Sequence, residues 1–172
     1  MLGDTRAFLE TLARHMTRHG LPLNLGPMDH VCYRTADPRE YLKLRHELAA
    51  VGDCLVEGMI AGRPIITFRL HQPLEGPFGP VPCLELAAPK PGKTHLHGLE
   101  HGEIVVPDLE QLLRDYPAVP FDGKGLAQHP PELTLSLPPY QLKFHLQSLA
   151  DTIAAEIARD DVVPVPRDYF TP

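Results

Sequence analysis

A histidine that follows an acidic residue occurs twice in this chain at the start of an apolar run. Asp29-His30 precedes Val31-Cys32-Tyr33, and Glu100-His101 precedes Gly102-Glu103-Ile104-Val105. Imidazole and carboxylate groups placed close together can bind a divalent cation or transfer protons. The functional site is therefore expected to involve these two stretches.

Each of these stretches leads into a pattern that is typical of a helix start. Asp37-Pro38-Arg39-Glu40 has an acid suited to the N-cap, proline at the first helical position and glutamate at the third. The second stretch continues through Pro107-Asp108-Leu109-Glu110 in the same way. Two successive strand-to-helix units predict an internal duplication.

The surrounding pattern predicts two β-α-β-β-β modules. Module one covers 28–88, with strands at 28–35, 53–60, 64–71 and 81–87, and module two covers 99–147, with a weak strand within 118–127. The linker Pro89-Lys90-Pro91-Gly92-Lys93 separates them. The expected fold is α+β, a single domain over 1–172 in which the modules form a cup-shaped mixed β-sheet.

Two further helices are predicted outside the modules. Residues 4–19 carry apolar side chains at helical spacing, with Asp4 as the N-cap, and residues 149–159 follow a capping box at Ser148. The proline-rich tail from Pro164 is expected to pack poorly.

The composition favours small molecules as partners. A net charge of −6 and the absence of tryptophan argue against a nucleic-acid surface. Three cysteines without a CxxC pair fit a reducing compartment, and no apolar run approaches the length of a membrane span. We therefore expect a cytoplasmic protein that binds neither nucleic acid nor membranes. It would be a monomer or a homodimer, because one chain contains both modules.

Side-chain alternation divides each strand that frames the modules into an apolar and a polar face. The polar faces carry His30 and Cys32, Cys83 and Glu85, His101 and Glu103, and Lys143 and His145. When the modules are overlaid, His30 falls on His101 and Glu85 falls on His145. Two histidines and a carboxylate suit Zn²⁺, Fe²⁺, Mn²⁺ or Ni²⁺, and this ligand set does not choose among them.

The duplicated pattern resembles the vicinal-oxygen-chelate superfamily, which includes glyoxalase I, extradiol dioxygenases, epimerases and bleomycin-resistance proteins. More narrowly, the chain resembles the YecM family. The matching stretches are Asp29-His30, Met59-Ile60-Ala61-Gly62-Arg63-Pro64-Ile65, Phe68-Arg69-Leu70-His71, Leu84-Glu85-Leu86, Glu100-His101-Gly102-Glu103-Ile104-Val105, Leu133-Thr134-Leu135 and Leu142-Lys143-Phe144-His145.

This resemblance implies a divalent metal at the centre of the sheet, with His30, Glu85, His101 and His145 at the ligand positions. Metal-dependent members of the superfamily usually have a carboxylate at the last of these positions, whereas this chain has a histidine. The chemistry implied is that of a lyase, isomerase or oxygenase that chelates two neighbouring oxygens of a small substrate.

Other polar residues complete the expected site. Glu103 is the candidate base, although it could instead only pair with Lys143; Lys143 or Arg63 would hold an anionic group of the substrate. Cys32 and Cys83 are either soft metal ligands or, more commonly for cysteine, small buried side chains. The alternative function is a metal-free module of the same fold that sequesters a small ligand.

Overall fold

The two predicted repeats join side by side in one eight-stranded sheet. The protein is described by a computed structural model covering residues 1–171. Its elements in chain order are α1 (Thr5–Arg18), β1 (Met28–Arg34), α2 (Pro38–Leu48), β2 (Gly52–Ile60), β3 (Arg63–Leu74), β4 (Val81–Ala87), β5 (Gly98–Val105), α3 (Leu109–Asp115), β6 (Phe121–Asp122), β7 (Leu133–Leu137), β8 (Tyr140–His145) and α4 (Leu149–Ala158). This architecture confirms the predicted α+β fold class.

The central strands come from different modules. The strand order is β2-β3-β4-β1-β5-β8-β7-β6. Strands β1 and β5 pair antiparallel, while β4 is parallel to β1 and β8 is parallel to β5. The first and last strands of each module therefore lie next to each other around the β1–β5 contact, which relates the modules by an approximate twofold axis.

Local sequence signals explain where the elements begin and turn. Each α-helix starts at a side chain that accepts a hydrogen bond from a backbone N–H three residues later, namely Asp4, Asp37, Asp108 and Ser148. Ala61 and Gly62 join β2 to β3 with φ values of 49° and 82°. Positive φ at both positions is what a two-residue hairpin turn of type I′ requires.

The apolar face of the sheet forms the core together with α1. Val31, Leu84, Ile104 and Phe144 are all fully buried. A Cβ added at Gly102 would lie 3.1 Å from the Cδ1 atom of Leu12, because α1 packs closely against β5 at this point. Helix α1 is therefore part of the core that fixes the central strands.

Two local expectations need adjustment. The weak strand expected within 118–127 is present but covers only Phe121–Asp122, and a 3₁₀ helix follows over Lys124–Ala127. Strand alternation would place Leu146 on the apolar face with Leu142 and Phe144, but Leu146 is 46 % exposed because β8 ends at His145.

The end of the chain, from Val163 to Phe170, also contacts the rest of the fold, although its many prolines predict poor packing. The backbone N–H of Met59 on the edge strand β2 donates to the carbonyl of Val163 at 2.8 Å. The ring of Phe170 stacks on Tyr41 of α2, with centroids 5.2 Å apart. Unpaired backbone groups at a sheet edge attract such a segment, and this satisfies them. Over residues 1–171, no helix is long and apolar enough to cross a membrane.

Candidate metal centre

The polar side chains of the central strands lie in two adjacent rows that run across the sheet. In one row, His30 pairs with Cys83 on one side and with Glu103 on the other, and Glu103 pairs with Lys143. In the next row, Cys32 pairs with Glu85 on one side and with His101 on the other. The strand register thus brings residues of both modules together on one face.

The carboxylate of Glu103 lies at the centre of this arrangement. Its Oε2 atom is 3.4 Å from Nε2 of His30 and 2.5 Å from Nε2 of His145. Its Oε1 atom is 3.2 Å from Nε2 of His101 and 3.6 Å from Nζ of Lys143. Three imidazoles and one ammonium group therefore surround a single buried carboxylate.

The acidic residue before each histidine orients the imidazole ring. Nδ1–H of His30 donates to Oδ2 of Asp29 at 3.0 Å, and Nδ1–H of His101 donates to Oε1 of Glu100 at 3.4 Å. Since Nδ1 is engaged, the Nε2 atoms of both rings point towards Glu103. Histidines that bind a metal through one ring nitrogen commonly donate the N–H of the other to a carboxylate in this way.

The two supporting carboxylates are themselves anchored. Oδ2 of Asp29 accepts a further hydrogen bond from the backbone N–H of Leu149 at 2.7 Å, at the start of α4. Glu100 forms a bidentate ion pair with Arg34, in which Nη2 of Arg34 lies 2.7 Å from Oε1 of Glu100. These contacts restrict the rotation of both histidine rings.

Buried charges shift the pKa values of the central groups strongly. Burial lowers the pKa of His30, but the charge of Glu103 and the hydrogen bonds to Asp29 and Glu103 raise it well above its usual value. Burial likewise lowers the pKa of His101, and the hydrogen bond to Glu100 and the nearby carboxylate of Glu103 raise it above the usual value. For Glu103, burial raises the pKa, whereas His30 and the neighbouring imidazoles bring it well below the usual value. Without metal, the cluster therefore favours the charged forms of His30 and His101 beside an ionised Glu103.

The donor groups fit a divalent cation. His30, Glu85 and Glu103 form one group whose ligand atoms lie within 4.8 Å of one another, and Cys32, Glu85 and His101 form a second. The buried Nε2 atoms of His101 and His145 have no hydrogen-bond partner of acceptable geometry among residues 1–171. Buried polar atoms are rarely left unsatisfied, and a cation held by these nitrogens and carboxylates would satisfy them while displacing the imidazole protons.

The residues predicted for the site are distributed unevenly around it. His30 and Glu103 belong to the first group, His101 belongs to the second, and Glu85 belongs to both. His145 belongs to neither group, although its Nε2 atom contacts Glu103 and lies 3.7 Å from Glu132.

The two predicted anion-binding residues differ in their surroundings. Lys143 is already paired with Glu132 at 3.4 Å and Glu103 at 3.6 Å. Arg63 lies outside the central cluster, and its buried Nε atom has no hydrogen-bond partner within the described chain. Burial and the positive charge of Arg34 lower the pKa of Arg63.

Several contributors were not identified from the sequence. The acid-histidine pairs were noticed, yet the role of Asp29 and Glu100 as partners of Nδ1 emerges only from the geometry. Glu132 lies in the loop before β7, and no pattern in the neighbouring sequence indicated a role for it. His95 lies in the loop between β4 and β5, and its buried Nε2 atom has no hydrogen-bond partner among residues 1–171.

A small cavity adjoins the cluster. Its volume is about 60 Å³, and His30, Glu103 and His145 line it together with Pro130, Gln147 and Thr152. His145 and Glu103 are therefore both in contact with this space.

Comparison with known proteins agrees with this architecture. The chain is 26% identical to Protein YecM of Escherichia coli (strain K12) over 170 residues, which covers 89% of this chain and 90% of that protein. The solved structure of a structural-genomics target, Protein EC4020, superposes with a TM-score of 0.73 at 26% identity and 87% coverage of both chains.

A more distant structure extends the likeness of the fold. A variant of methylmalonyl-CoA epimerase of Streptomyces coelicolor, solved in complex with 2-nitronate-propionyl-CoA, has a TM-score of 0.50 at 12% identity, with 70% of this chain and 94% of that chain covered. The fold is thus similar to that of methylmalonyl-CoA epimerase. The signature of the family described as YecM protein matches residues 1–129, and the chain belongs to this family.

Proposed function

We propose that this protein is a divalent-metal-dependent enzyme of the vicinal-oxygen-chelate type. It would act as a lyase, isomerase or oxygenase on a small oxygenated, anionic metabolite. One observation carries the proposal: His30 and His101, one from each module, are held by their neighbouring carboxylates so that both Nε2 atoms face the buried Glu103. Imidazoles fixed in this manner are suited to metal ligation.

The resident cation would be held by His30, Glu85 and Glu103, with His101 close to it. When bound, such a cation supplies a Lewis acid that polarises the oxygens of a chelated substrate. The strands β1, β4 and β5 position these ligands rigidly, because their backbones are paired in the centre of the sheet. The donor set suits Zn²⁺, Fe²⁺, Mn²⁺ or Ni²⁺.

The geometry favours an exchange of the roles expected for Glu103 and His145. A carboxyl group whose pKa is well below the usual value is a weak proton acceptor, which suits Glu103 to ligation. His145 lines the cavity and belongs to neither ligand group. We assign proton transfer to Nε2 of His145, whose position beside Oε2 of Glu103 lets it hold a proton between the carboxylate and the substrate.

Arg63 is the better candidate for binding an anionic group of the substrate. Lys143 is neutralised by Glu103 and Glu132, whereas the buried Nε atom of Arg63 has no acceptor among residues 1–171. A buried N–H group without an acceptor is costly, and a carboxylate or phosphonate beside Arg63 would remove this cost. The related fold of methylmalonyl-CoA epimerase was solved with 2-nitronate-propionyl-CoA, which is consistent with a small oxygenated ligand.

Metal content tests the first part of the proposal. Untagged protein purified without chelator is expected to contain near-stoichiometric metal by inductively coupled plasma mass spectrometry, and His30→Ala to lose it. His71→Ala is the matched control, because His71 pairs with Asp53 on the surface, away from the site. No metal in any form, even after addition of Zn²⁺, Mn²⁺, Fe²⁺ or Ni²⁺, would refute the proposal and favour the metal-free ligand-binding module.

Turnover of a substrate panel tests the second part. Diols, ketoaldehydes and catechols with and without a carboxylate would be assayed with the metal-loaded protein. We expect His145→Gln to retain metal and to lower kcat by about 10²–10⁴-fold, the usual contribution of a general base. Arg63→Gln is expected to raise KM for anionic substrates only, with the exposed Arg39→Gln as its control. Full activity in His145→Gln would overturn the assignment of proton transfer.

A further inference from the structure

We propose that Cys32, Glu85 and His101 form a second, sulfur-containing cation position beside the one that His30, Glu85 and Glu103 form. This inference rests on the proposed metal-binding function and adds a site of different chemistry. The position would take Zn²⁺, Co²⁺ or other cations with affinity for thiolate, in preference to Mg²⁺ or Mn²⁺.

The strand register places the three side chains in one row. Cys32 on β1 lies directly opposite Glu85 on β4 and opposite His101 on β5. Directly paired residues have Cβ atoms about 4.5–5.5 Å apart on the same face of a sheet. The sulfur, carboxylate and imidazole ligand atoms accordingly lie within 4.8 Å of one another.

The internal duplication relates this position to the first one. His30 corresponds to His101, and two residues further along each strand Cys32 corresponds to Glu103. The antiparallel register pairs His30 with Glu103 and Cys32 with His101, so each pair is the twofold mate of the other. Only Glu85 belongs to both ligand groups. The duplication thus generates two related positions. Glu103 provides an oxygen ligand in the first, and Cys32 provides a sulfur ligand at the corresponding place in the second.

An independent observation points to a ligand at this position. His101 is only 5 % exposed, and its Nδ1 atom is engaged by Glu100. Its Nε2 atom is buried and has no hydrogen-bond partner among residues 1–171. Nε2 lies 3.2 Å from Oε1 of Glu103 without forming a hydrogen bond of acceptable geometry, so it is not committed to that carboxylate and can donate to a cation.

Charge and size are both compatible with a divalent ion. On binding, the S–H bond of Cys32 breaks, a sulfur–metal bond forms and the proton passes to solvent. The thiolate then offsets one positive charge of the cation, the carboxylate of Glu85 would be shared by both positions, and neutral His101 is the third ligand. Tetrahedral ligation at about 2.0–2.3 Å places ligand atoms about 3.3–3.8 Å apart, so movements of about 1 Å would close the site.

Cobalt substitution tests the proposal, because a thiolate bound to Co²⁺ gives an intense charge-transfer absorption band in the near ultraviolet. The full chain loaded with Co²⁺ is expected to show this band, and Cys32→Ser and Cys32→Ala to lose it. Cys83→Ser is the matched control, since Cys83 is equally buried and lies opposite His30 in the neighbouring row. We expect Cys83→Ser and His30→Gln to keep the band, with circular dichroism reporting folding.

The outcomes separate this inference from the proposed function. If cobalt binds by mass spectrometry but the band is absent, or persists in both folded Cys32 variants, the sulfur position is refuted while the metal centre stands. If His30→Gln removes the band as completely as Cys32→Ser, the two positions are not distinct and the inference fails. If no form binds cobalt or zinc, both proposals fail together.

Discussion

Replacement of Asp29 by asparagine would reveal how much the neighbouring carboxylate contributes to metal binding at His30. The change is nearly isosteric and removes only the charge. Oδ2 of Asp29 accepts from Nδ1–H of His30 at 3.0 Å and from the backbone N–H of Leu149 at 2.7 Å. An amide oxygen can accept both hydrogen bonds, so α4 and the ring of His30 are expected to stay in place.

A loss of metal affinity is expected because the acceptor of this hydrogen bond, the carboxylate of Asp29, is charged. A bond to an ionised acceptor is about twice as strong as a neutral one. The carboxylate of Asp29 also helps to raise the pKa of His30, and thereby the basicity of Nε2. Loss of such a partner commonly lowers metal affinity by about 10–100-fold, or about 1.4–2.7 kcal/mol.

Competition with a chromophoric chelator at fixed pH would measure the affinity of the wild-type and variant chains. Asp53→Asn is the matched control, because Asp53 holds the exposed His71 at 3.1 Å in a similar pair outside the site. Metal affinity should fall in Asp29→Asn and remain unchanged in Asp53→Asn. Equal affinities in the wild type and Asp29→Asn would refute the argument that the acid-histidine pair tunes the metal ligand.

Further predictions concern the metal-free chain. In Glu103→Gln, nuclear magnetic resonance titration should show the pKa of both His30 and His101 falling, because burial remains while an important cause of the raised pKa is removed; unchanged values would contradict this. Since the folded pKa values of His30 and His101 lie above the unfolded value of about 6.5, the stability they contribute is complete below that pH. This stability is lost as pH rises through the raised pKa values, so the urea midpoint of unfolding should fall over that pH range. Metal affinity should rise over the same range, because the imidazoles lose their protons. The opposite trends would refute the raised pKa values of the two histidines. Leu84→Ala should lower the free energy of unfolding by about 2–5 kcal/mol, since Leu84 is fully buried, and a loss below about 1 kcal/mol would show that the core is not as described. Phe170→Ala should cost about 0.5–1.5 kcal/mol in chemical denaturation through loss of the stack on α2, and no change would mean that the tail does not pack there.

Local patterns in the sequence predicted much of the fold. Helix caps such as Asp37 and Ser148 act through backbone groups only three residues away, so their effect can be read from a short stretch. The alternation of Val31 and His30 likewise assigns the two faces of β1 without knowledge of its neighbours. The packing of the tail at Phe170 was misjudged because it depends on a distant contact with Tyr41.

The resemblance and the overlay of the modules led to His30, Glu85, His101 and His145 as candidate ligands. Their relative positions required the sheet. The register of β1 against β5 places Glu103 opposite His30, and the start of β8 relative to β5 leaves His145 beside Glu103 instead of within a ligand group. Shifting a pairing by one residue would exchange the faces of a strand, and neither strand alone specifies that register.

The sequence alone therefore determined which residue types occupy the polar face, since strand alternation is a local property. Only the tertiary structure decided which of them meet. Distances of 3.4 Å between His30 and Glu103, and of 2.7 Å between the backbone nitrogen of Leu149 and Asp29, join residues that are far apart along the chain. The roles of base, ligand and ion-pair partner depend on such distances and on burial, because both set the pKa values and leave particular nitrogen atoms free to bind.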